Sequence, residues 1–464
     1  MNSFAAPAPR QRRQRYSGKY PKTFEEKHKE RAGDEATVAR VLQKGSTPAG
    51  THVPIMAAEC LAHLGLADGA TEIVNAPVSG EDGLVAVDCT LGFGGHSGLM
   101  MKALAERAES GKTPQAMLVA FDQDGVELAK TEARLREGSA DKLRLECINA
   151  NFATIGSAFA ERQLPVAHAL LADLGCSSMQ IDDPARGFTW KADGPLDMRM
   201  DTTSEGAAVT AADFLAISNV SSFASILRAN SDFEHDDSER IASAVLAEPR
   251  PTTTSQLDAR ARSVTPPKPA DAARGKGSGG GRGGGKGGGK GGGKGGGGTG
   301  DLTRERDGGF KALEHARRLR NMGTKKLLQE LDEEDETDMP SVGRGRRDRA
   351  GGVMDEKELE KELNSRVARV MQALRIEVNN EFAALDALLD SLSSVLAPNG
   401  RAVFLTFHSG EDRRVKQAMK AGLKAGTFSE ISRRVVRVGR EEGRANPRSK
   451  CCKLRWCVRT STSS

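Results

Sequence analysis

An α/β fold built on a parallel sheet is what this sequence predicts, and three observations carry the prediction. Four short apolar runs, at 84–88, 117–122, 143–148 and 169–173, alternate with stretches of helical character such as 97–107 and 126–136. The first run feeds into Val87-Asp-Cys-Thr-Leu-Gly-Phe-Gly-Gly-His-Ser97, which passes three glycines within four residues where a helix can begin. A fifth apolar run, 401–407, resumes the pattern after a long polar interruption. Strand, crossover helix and next strand in this rhythm form a parallel sheet, because a parallel connection needs a helix to carry the chain back.

Composition bounds the rest. The chain has 464 residues and 38% hydrophobic content, enough for two or three domains, yet 52 glycines and 28% charged residues mark part of it as unable to build a core. No apolar run approaches the roughly 18 to 20 residues that span a bilayer, so no membrane segment is expected. Seven cysteines, an odd number scattered through expected strands, argue for a reducing compartment over a disulfide framework. Cys451, Cys452 and Cys457 cluster without a zinc spacing and without a following histidine, so no metal is expected there.

In chain order, residues 1–49 form a basic extension. Its first 23 residues hold six Lys/Arg and no acid, which suits a chloroplast or mitochondrial transit segment and equally a tail touching nucleic acid in a cytoplasmic protein. The core begins at Gly50-Thr-His-Val-Pro-Ile-Met56, and its first part occupies 50–181. Residues 182–261 read as a helical insert, with helices at 211–227 and 238–246 and no strand between them. From 262 to 360 the chain collapses into GGGK repeats and then charge-dominated sequence, including Asp332-Glu-Glu-Asp-Glu336, and reads as a disordered insertion. Helices at 367–379 and 381–396, the latter ended by Pro398-Asn-Gly400, make 361–396 a helical segment rejoining the core, and 397–464 completes it.

The glycine turn asks which cofactor it serves. A dinucleotide fold wants G-x-G-x-x-G and an acid about 20 residues on. Here the run is Gly92-Phe-Gly-Gly-His96, and Asp122, the acid closing the second strand, lies about 30 residues past the turn, which fits a nicotinamide dehydrogenase poorly. Glycines at 94 and 95 allow close backbone approach, and amides opening the next helix favour an anionic group such as the carboxylate of S-adenosylmethionine. Asp122 is placed to accept both ribose hydroxyls, although a strand-end acid and a tight turn have ordinary explanations when taken singly.

Longer motifs follow: Ala172-Asp-Leu-Gly-Cys-Ser-Ser-Met-Gln-Ile-Asp-Asp183, Arg186-Gly-Phe188, Gly194-Pro-Leu-Asp-Met-Arg-Met-Asp201, Gln372-Ala-Leu-Arg-Ile-Glu-Val-Asn379, Phe407-His-Ser-Gly-Glu-Asp-Arg413 and Asn446-Pro-Arg-Ser449. With these the sequence resembles the RsmH (MraW) type of S-adenosylmethionine-dependent methyltransferases, which modify the N4 amino group of a cytidine in small-subunit ribosomal RNA, together with its organellar relatives. The resemblance implies a Rossmann-like class I methyltransferase with a helical insert domain, S-adenosylmethionine as cofactor, and the small-subunit RNA or assembled small subunit as partner, and it leaves a homodimer open. It assigns cofactor binding to Gly94, Gly95, His96, Asp122, Phe152, Asp173 and Gln180. Two departures stand out: Ser365-Arg-Val-Ala-Arg-Val-Met-Gln372 replaces the family's usual His-Pro-Ala-Thr-Arg-Thr-Phe-Gln, and Gly410 stands where leucine is usual, which is expected to change packing locally.

Methyl transfer to an amine is an in-line displacement that needs position more than a metal or strong acid. Asp173 is the candidate to hold the amine and take its proton, with Ser177 and Ser178 beside it. Cys176 raises the rival of carbon-5 methylation through ring attack, but it lacks a proline-cysteine setting and suits a small buried residue. His408 lies among Ser409, Glu411 and Asp412 and is read as lining the target pocket. Sixteen Lys/Arg against five Asp/Glu over 401–464 supply a basic surface for phosphates. The alternative to an enzyme is a non-catalytic RNA-binding assembly factor that keeps the fold.

Overall fold

The computed structural model describes residues 54–67, 83–111, 113, 115–137, 143–202, 209–264 and 355–461. The basic extension and nearly all of the expected Gly/Lys-rich insertion lie outside them. After helix α1 (Ala57–Leu64), the chain runs β1 (Leu84–Asp88), α2 (Gly95–Glu109), β2 (Ala116–Asp122), α3 (Gly125–Glu137), β3 (Leu143–Asn149), α4 (Ile155–Glu161) and β4 (Ala167–Asp173). A short α5 (Ser178–Asp182) then leads into α6 (Ala211–Ile217), α7 (Val220–Ser231), α8 (His235–Val245) and α9 (Thr254–Ser263). Beyond residue 355 come α10 (Glu356–Val378), α11 (Glu381–Val395), β5 (Leu396–Thr406), α12 (Ser409–Ala425), β6 (Phe428–Ile431), β7 (Val436–Arg437), α13 (Arg440–Ala445) and β8 (Lys453–Arg459).

The strands make one sheet in the order β3-β2-β1-β4-β5-β8-β6, with β7 also paired to β8. Pairings among β1 to β5 are parallel and those of β8 antiparallel. β1, β2 and β4 are buried almost residue for residue, which is why they read as unbroken apolar runs: helices cover both faces of the sheet. Chain order reverses at β1, with β2 on one side and β4 on the other. Strands on either side of such a reversal send their following loops apart and leave a crevice at their carboxyl ends, where ligands of open α/β sheets bind.

A second core sits in the helical insert. Phe223, Leu227, Ile241, Val245 and Leu257 pack with Val367, Val370, Leu374 and Val378 of α10, whose apolar residues recur at three and four positions to form one stripe. α11 instead buries Leu385, Leu388 and Leu392 against the sheet. The segment 361–396 therefore does not act as one piece. It divides at Asn379–Asn380, where Asn380 takes a left-handed φ of 49°. Asn379 ties the division to the insert: its side-chain amide donates to the Met198 carbonyl and its oxygen accepts the Met200 amide, both at 2.8 Å.

Three further boundaries differ from the sequence reading. The helix expected at 211–227 is two helices, because Asn219 turns its side chain to the Ser222 amide at 2.9 Å and caps α7. Pro398-Asn-Gly400 does not lie between helix and strand. It forms an irregularity inside β5, where Leu396 pairs with Ala167 and Arg401 with Ala169, and Asn399 takes a φ of 62°. Finally, the limits 262 and 360 cut into α9 and α10, both of which belong to the helical core.

The two ends of the insertion are clasped: Arg262 pairs with Glu360 at 3.2 Å, and Arg366 donates to the Val264 carbonyl. Replacing residues 267–353 by a short Gly/Ser linker should thus leave a single cooperative urea transition, since the closure it must span is already made. Loss of cooperativity, or an early separate transition, would show that the replaced segment supports the fold.

Candidate active site

The turn after β1 is strapped in place from three sides. Leu91 N–H donates to the Phe121 carbonyl at 2.8 Å, Thr131 Oγ1 of α3 donates to the Gly92 carbonyl at 2.7 Å, and Gly92 N–H donates to Asp122 Oδ2 at 2.7 Å. Gly94 has φ 70°, and a Cβ there would lie 2.8 Å from Thr131 Cγ2. Its glycine thus serves a left-handed turn pressed onto α3, which is a different reason from the ligand approach expected of it. Gly95 opens α2, so the amides of its first turn lack intrahelical partners at the mouth of the crevice.

Carboxylates define the crevice. Asp88 ends β1, Asp122 ends β2 and Asp173 ends β4. Asp88 is buried and satisfied by neutral donors, Ser97 Oγ at 2.6 Å and the Thr90 amide at 3.0 Å. Burial pushes the Asp122 carboxyl up to about 6, even though the amides of Asp124 and Gly92 work to lower it. Burial also raises Asp173 to about 6; His96 opposes the shift, while Asp88 and Glu411 add to it. Among the described residues, no lysine or arginine pairs with any of these three acids; the one basic partner is His96, whose Nδ1 lies 3.5 Å from Asp173 Oδ2. One edge of Asp173 stays open, its side chain 27% exposed.

Phe152 follows β3, half-buried, with its ring packed against the main core. Gln180, on α5, folds its loop by accepting the Ser177 amide at 3.0 Å and reaches Asp124 Oδ2 at 3.4 Å. The same Asp124 oxygen binds Arg186 at 2.8 Å, and Arg186 also donates to the carbonyls of Arg199 and Met200. The structure therefore brings Gly94, Gly95, His96, Asp122 and Asp173 to one crevice, with Phe152 and Gln180 on the loops that follow β3 and β4.

One cluster escaped the sequence reading, and a second, around His408, was read there only as lining the target pocket. Arg375 forms a bidentate pair with Glu381 at 2.8 and 2.9 Å and donates to Cys176 Sγ at 3.2 Å. Burial opposes the arginine's charge, but Glu381 outweighs it and keeps the guanidinium protonated. Burial raises the Cys176 thiol despite Arg375, leaving it a poor nucleophile. Nearby, His408 Nε2 lies 3.1 Å from Glu411 Oε1, and Glu411 Oε2 accepts the Phe407 amide at 2.8 Å. Glu381, His408 and Glu411 bring ligand atoms within 4.8 Å of one another, but Arg375 occupies both Glu381 oxygens. The signal for the arginine was Gln372-Ala-Leu-Arg-Ile itself, whose charged residue interrupts an apolar helix face.

A doubly wound sheet whose switch point gathers acids behind a glycine turn is the architecture of an α/β enzyme with its ligand site in that crevice. The chain belongs to the MraW methylase family, whose pattern matches residues 49–276 and 350–460. It is 32% identical over 450 residues to ribosomal RNA small subunit methyltransferase H 1 of Lachnoclostridium phytofermentans, covering 97% of this chain and 93% of that protein. The protein of the same name from Agathobacter rectalis is 33% identical over 450 residues, covering 97% of both chains. Ribosomal RNA small subunit methyltransferase H 2 of Alkaliphilus metalliredigens is 30% identical over 456 residues, covering 97% of this chain and 98% of that protein.

The departure at Gly410 has a packing cause. A Cβ there would lie 2.5 Å from Phe382 Cζ, so the Phe382 ring fills the room a larger residue would need; Arg414 stacks on that ring with its guanidinium carbon 4.4 Å from the centroid. Gly410→Leu should therefore destabilise the protein by about 1 to 3 kcal/mol. In a Phe382→Ala background the same change should cost about 0.5 kcal/mol less or better. Urea melts of both single variants and the double variant check this, and strict additivity would contradict it.

Proposed function

We propose that this protein transfers the methyl group of S-adenosylmethionine to the N4 amine of a cytidine in the decoding region of small-subunit ribosomal RNA. The observation that carries the reading is the set of three strand-end acids, Asp88 buried and Asp122 and Asp173 partly so, with no lysine or arginine paired to them among the described residues, a crevice suited to a ligand that brings its own positive charge. Bound S-adenosylmethionine would supply a sulfonium cation and a transferable methyl. Gly94, Gly95 and the first amides of α2 would hold its carboxylate, Asp122 its ribose and Phe152 its adenine. Gln180 would close the rim from α5. The names of the relatives give the substrate class, small-subunit ribosomal RNA.

The amine target is supported by what surrounds Asp173. The cytosine N4 lone pair is delocalised, so the site must fix the amine by acceptors and receive its proton. Asp173 offers an acceptor with one open edge, whereas the Cys176 thiol is held protonated and bound by Arg375. Cys176 is thereby a poor nucleophile for carbon-5 attack. A non-catalytic assembly factor would have no use for strand-end acids whose carboxyls burial pushes up to about 6.

RNA capture would fall to the segment after β6. Arg434, Arg440, Arg444 and Lys450 are exposed, while Glu442 turns inward to accept the Met56 amide at 2.9 Å. Arg448 pairs with Asp182 of α5 at 2.6 Å, which sets this basic stretch beside the loop that follows Asp173. Extruding the target base costs on the order of a few kcal/mol, and phosphate contacts offset it.

Incubation with labelled S-adenosylmethionine and small subunits from cells lacking the protein, followed by nucleoside mass spectrometry, should give N4-methylcytidine. Methyl on carbon 5, or none, would overturn the proposal. So would activity abolished by Cys176→Ala with cofactor binding intact.

A further inference from the structure

We propose that His96, assigned by resemblance only to the cofactor turn, acts as the positioning and proton-receiving partner of Asp173. The inference rests on the reading of the crevice as an amine-methylating site. His96 is the second residue of α2 and 8% exposed. Its Nε2 lies 3.0 Å from the Ile55 carbonyl oxygen. A carbonyl can only accept, so Nε2 carries the hydrogen, and in the neutral ring Nδ1 is left as a lone pair. That lone pair faces Asp173 Oδ2 at 3.5 Å, beyond ordinary hydrogen-bond length. Two acceptors confront each other on the side of Asp173 away from its open edge.

One proton between them turns the repulsion into a charge-assisted hydrogen bond. The groups facing it act in the same direction. Asp88 from β1 and Glu411 from α12 bear on Asp173, and Glu442 from α13 bears on His96. Cys60 of α1 and Cys452, just before β8, also face Asp173, and burial keeps both thiols protonated. No lysine or arginine acts on Asp173 to hold the pair unprotonated.

The balance closes without an oxidant or a metal. N4 forms its bond to the methyl carbon as the carbon–sulfur bond breaks and leaves its electron pair on sulfur. The nitrogen, now carrying one proton too many, releases it to Asp173, and the proton is shared with His96 Nδ1 until it leaves by the open edge of Asp173. His96 thus acts through the carboxylate and touches neither reacting atom. The Ile55 contact serves the same end: it fixes the tautomer that leaves Nδ1 free to receive.

The substrate-free protein provides the first test. With eight histidines in the chain, nitrogen-15 spectra of histidine-labelled protein can be assigned by substitution. The neutral His96 ring should be the Nε2–H tautomer, with an Nδ1 resonance that moves in Asp173→Asn. A hydrogen on Nδ1 of the neutral ring, or an Nδ1 resonance indifferent to Asp173→Asn, would overturn the proposal whatever the protein methylates. Turnover gives the second test. His96→Gln, which can still donate towards Ile55, should lower kcat on the order of tenfold, less than the roughly 100-fold typical of losing a primary acid–base group, and flatten the acid limb of the pH profile. S-adenosylmethionine affinity should stay within about twofold. A fall in cofactor affinity with kcat unchanged would overturn the role, and His96→Asn serves as the second variant if the glutamine variant fails to fold. Wild-type protein unable to methylate any cytidine would count against the proposed function, while the nitrogen-15 spectra would still decide whether the pair shares a proton.

Discussion

The gathering of three carboxylates at the ends of neighbouring strands, where burial disfavours their charge, is the constraint on which the rest of this structure depends. Asp88, Asp122 and Asp173 terminate three neighbouring strands, so the sheet itself delivers them to one crevice and the pairing of β1 with β2 and β4 prevents them from moving apart. Ionised carboxylates in such surroundings are costly, and two of the three answer by raising their pKa to about 6. The described residues supply neutral donors to Asp88 and Asp122 and a histidine to Asp173, but no lysine or arginine. On the function proposed above, the ligand brings the missing positive charge.

The crevice is held rigid by two cores meeting at its rim. Arg186 joins the insert to Asp124 on the loop after β2, and Asn379 joins the end of α10 to the 198–200 stretch. Arg375 spans α10, α11 and the loop after β4 in a single side chain, and Ser409 at the start of α12 donates to Asp232 at the end of α7 at 2.7 Å. These contacts are directional, and all but those of Asn379 are charge-assisted, so they fix orientation in a way that apolar packing alone would not. The loop from Asp173 to Gln180 is thereby positioned from both sides, which is what an in-line displacement asks of its scaffold.

The parallel half of the sheet was legible in the sequence because strands covered on both faces must be apolar throughout. The antiparallel half was not. β8 alternates Lys453, Leu454, Arg455 and Trp456, and its charges resemble a solvated edge, yet Arg455 is 1% exposed and grips Asp412 at 2.6 Å. Buried charge pairs of this kind have no periodic signature. The division at Asn379 was hidden for a related reason, since both sides are helical and only tertiary contacts reveal that they serve different cores. In the site, motif spacing located the acids on β2 and β4, and Asp88 was on view in the first strand without a role. His96 was read from its place in the turn, whereas its partners Ile55 and Asp173 are 41 and 77 positions away in sequence and meet it only in the folded chain.

Charge complementarity between an acid-lined crevice and a cationic cofactor is the central claim, and pH separates it from mere shape. Because the Asp122 and Asp173 pKa values are raised above the ordinary carboxylate value of 3.8, the stability these groups confer is full below about pH 3.8 and is lost as pH rises through about 6. A cation bound beside them recovers that loss. Calorimetric titration of S-adenosylmethionine and of its uncharged-sulfur product, S-adenosylhomocysteine, between about pH 5 and 7.5 measures the effect directly. The account predicts that affinity for the sulfonium rises through pH 6 by on the order of tenfold more than affinity for the thioether. Identical pH dependence for the two ligands, or an affinity that falls as the carboxyls ionise, would contradict it.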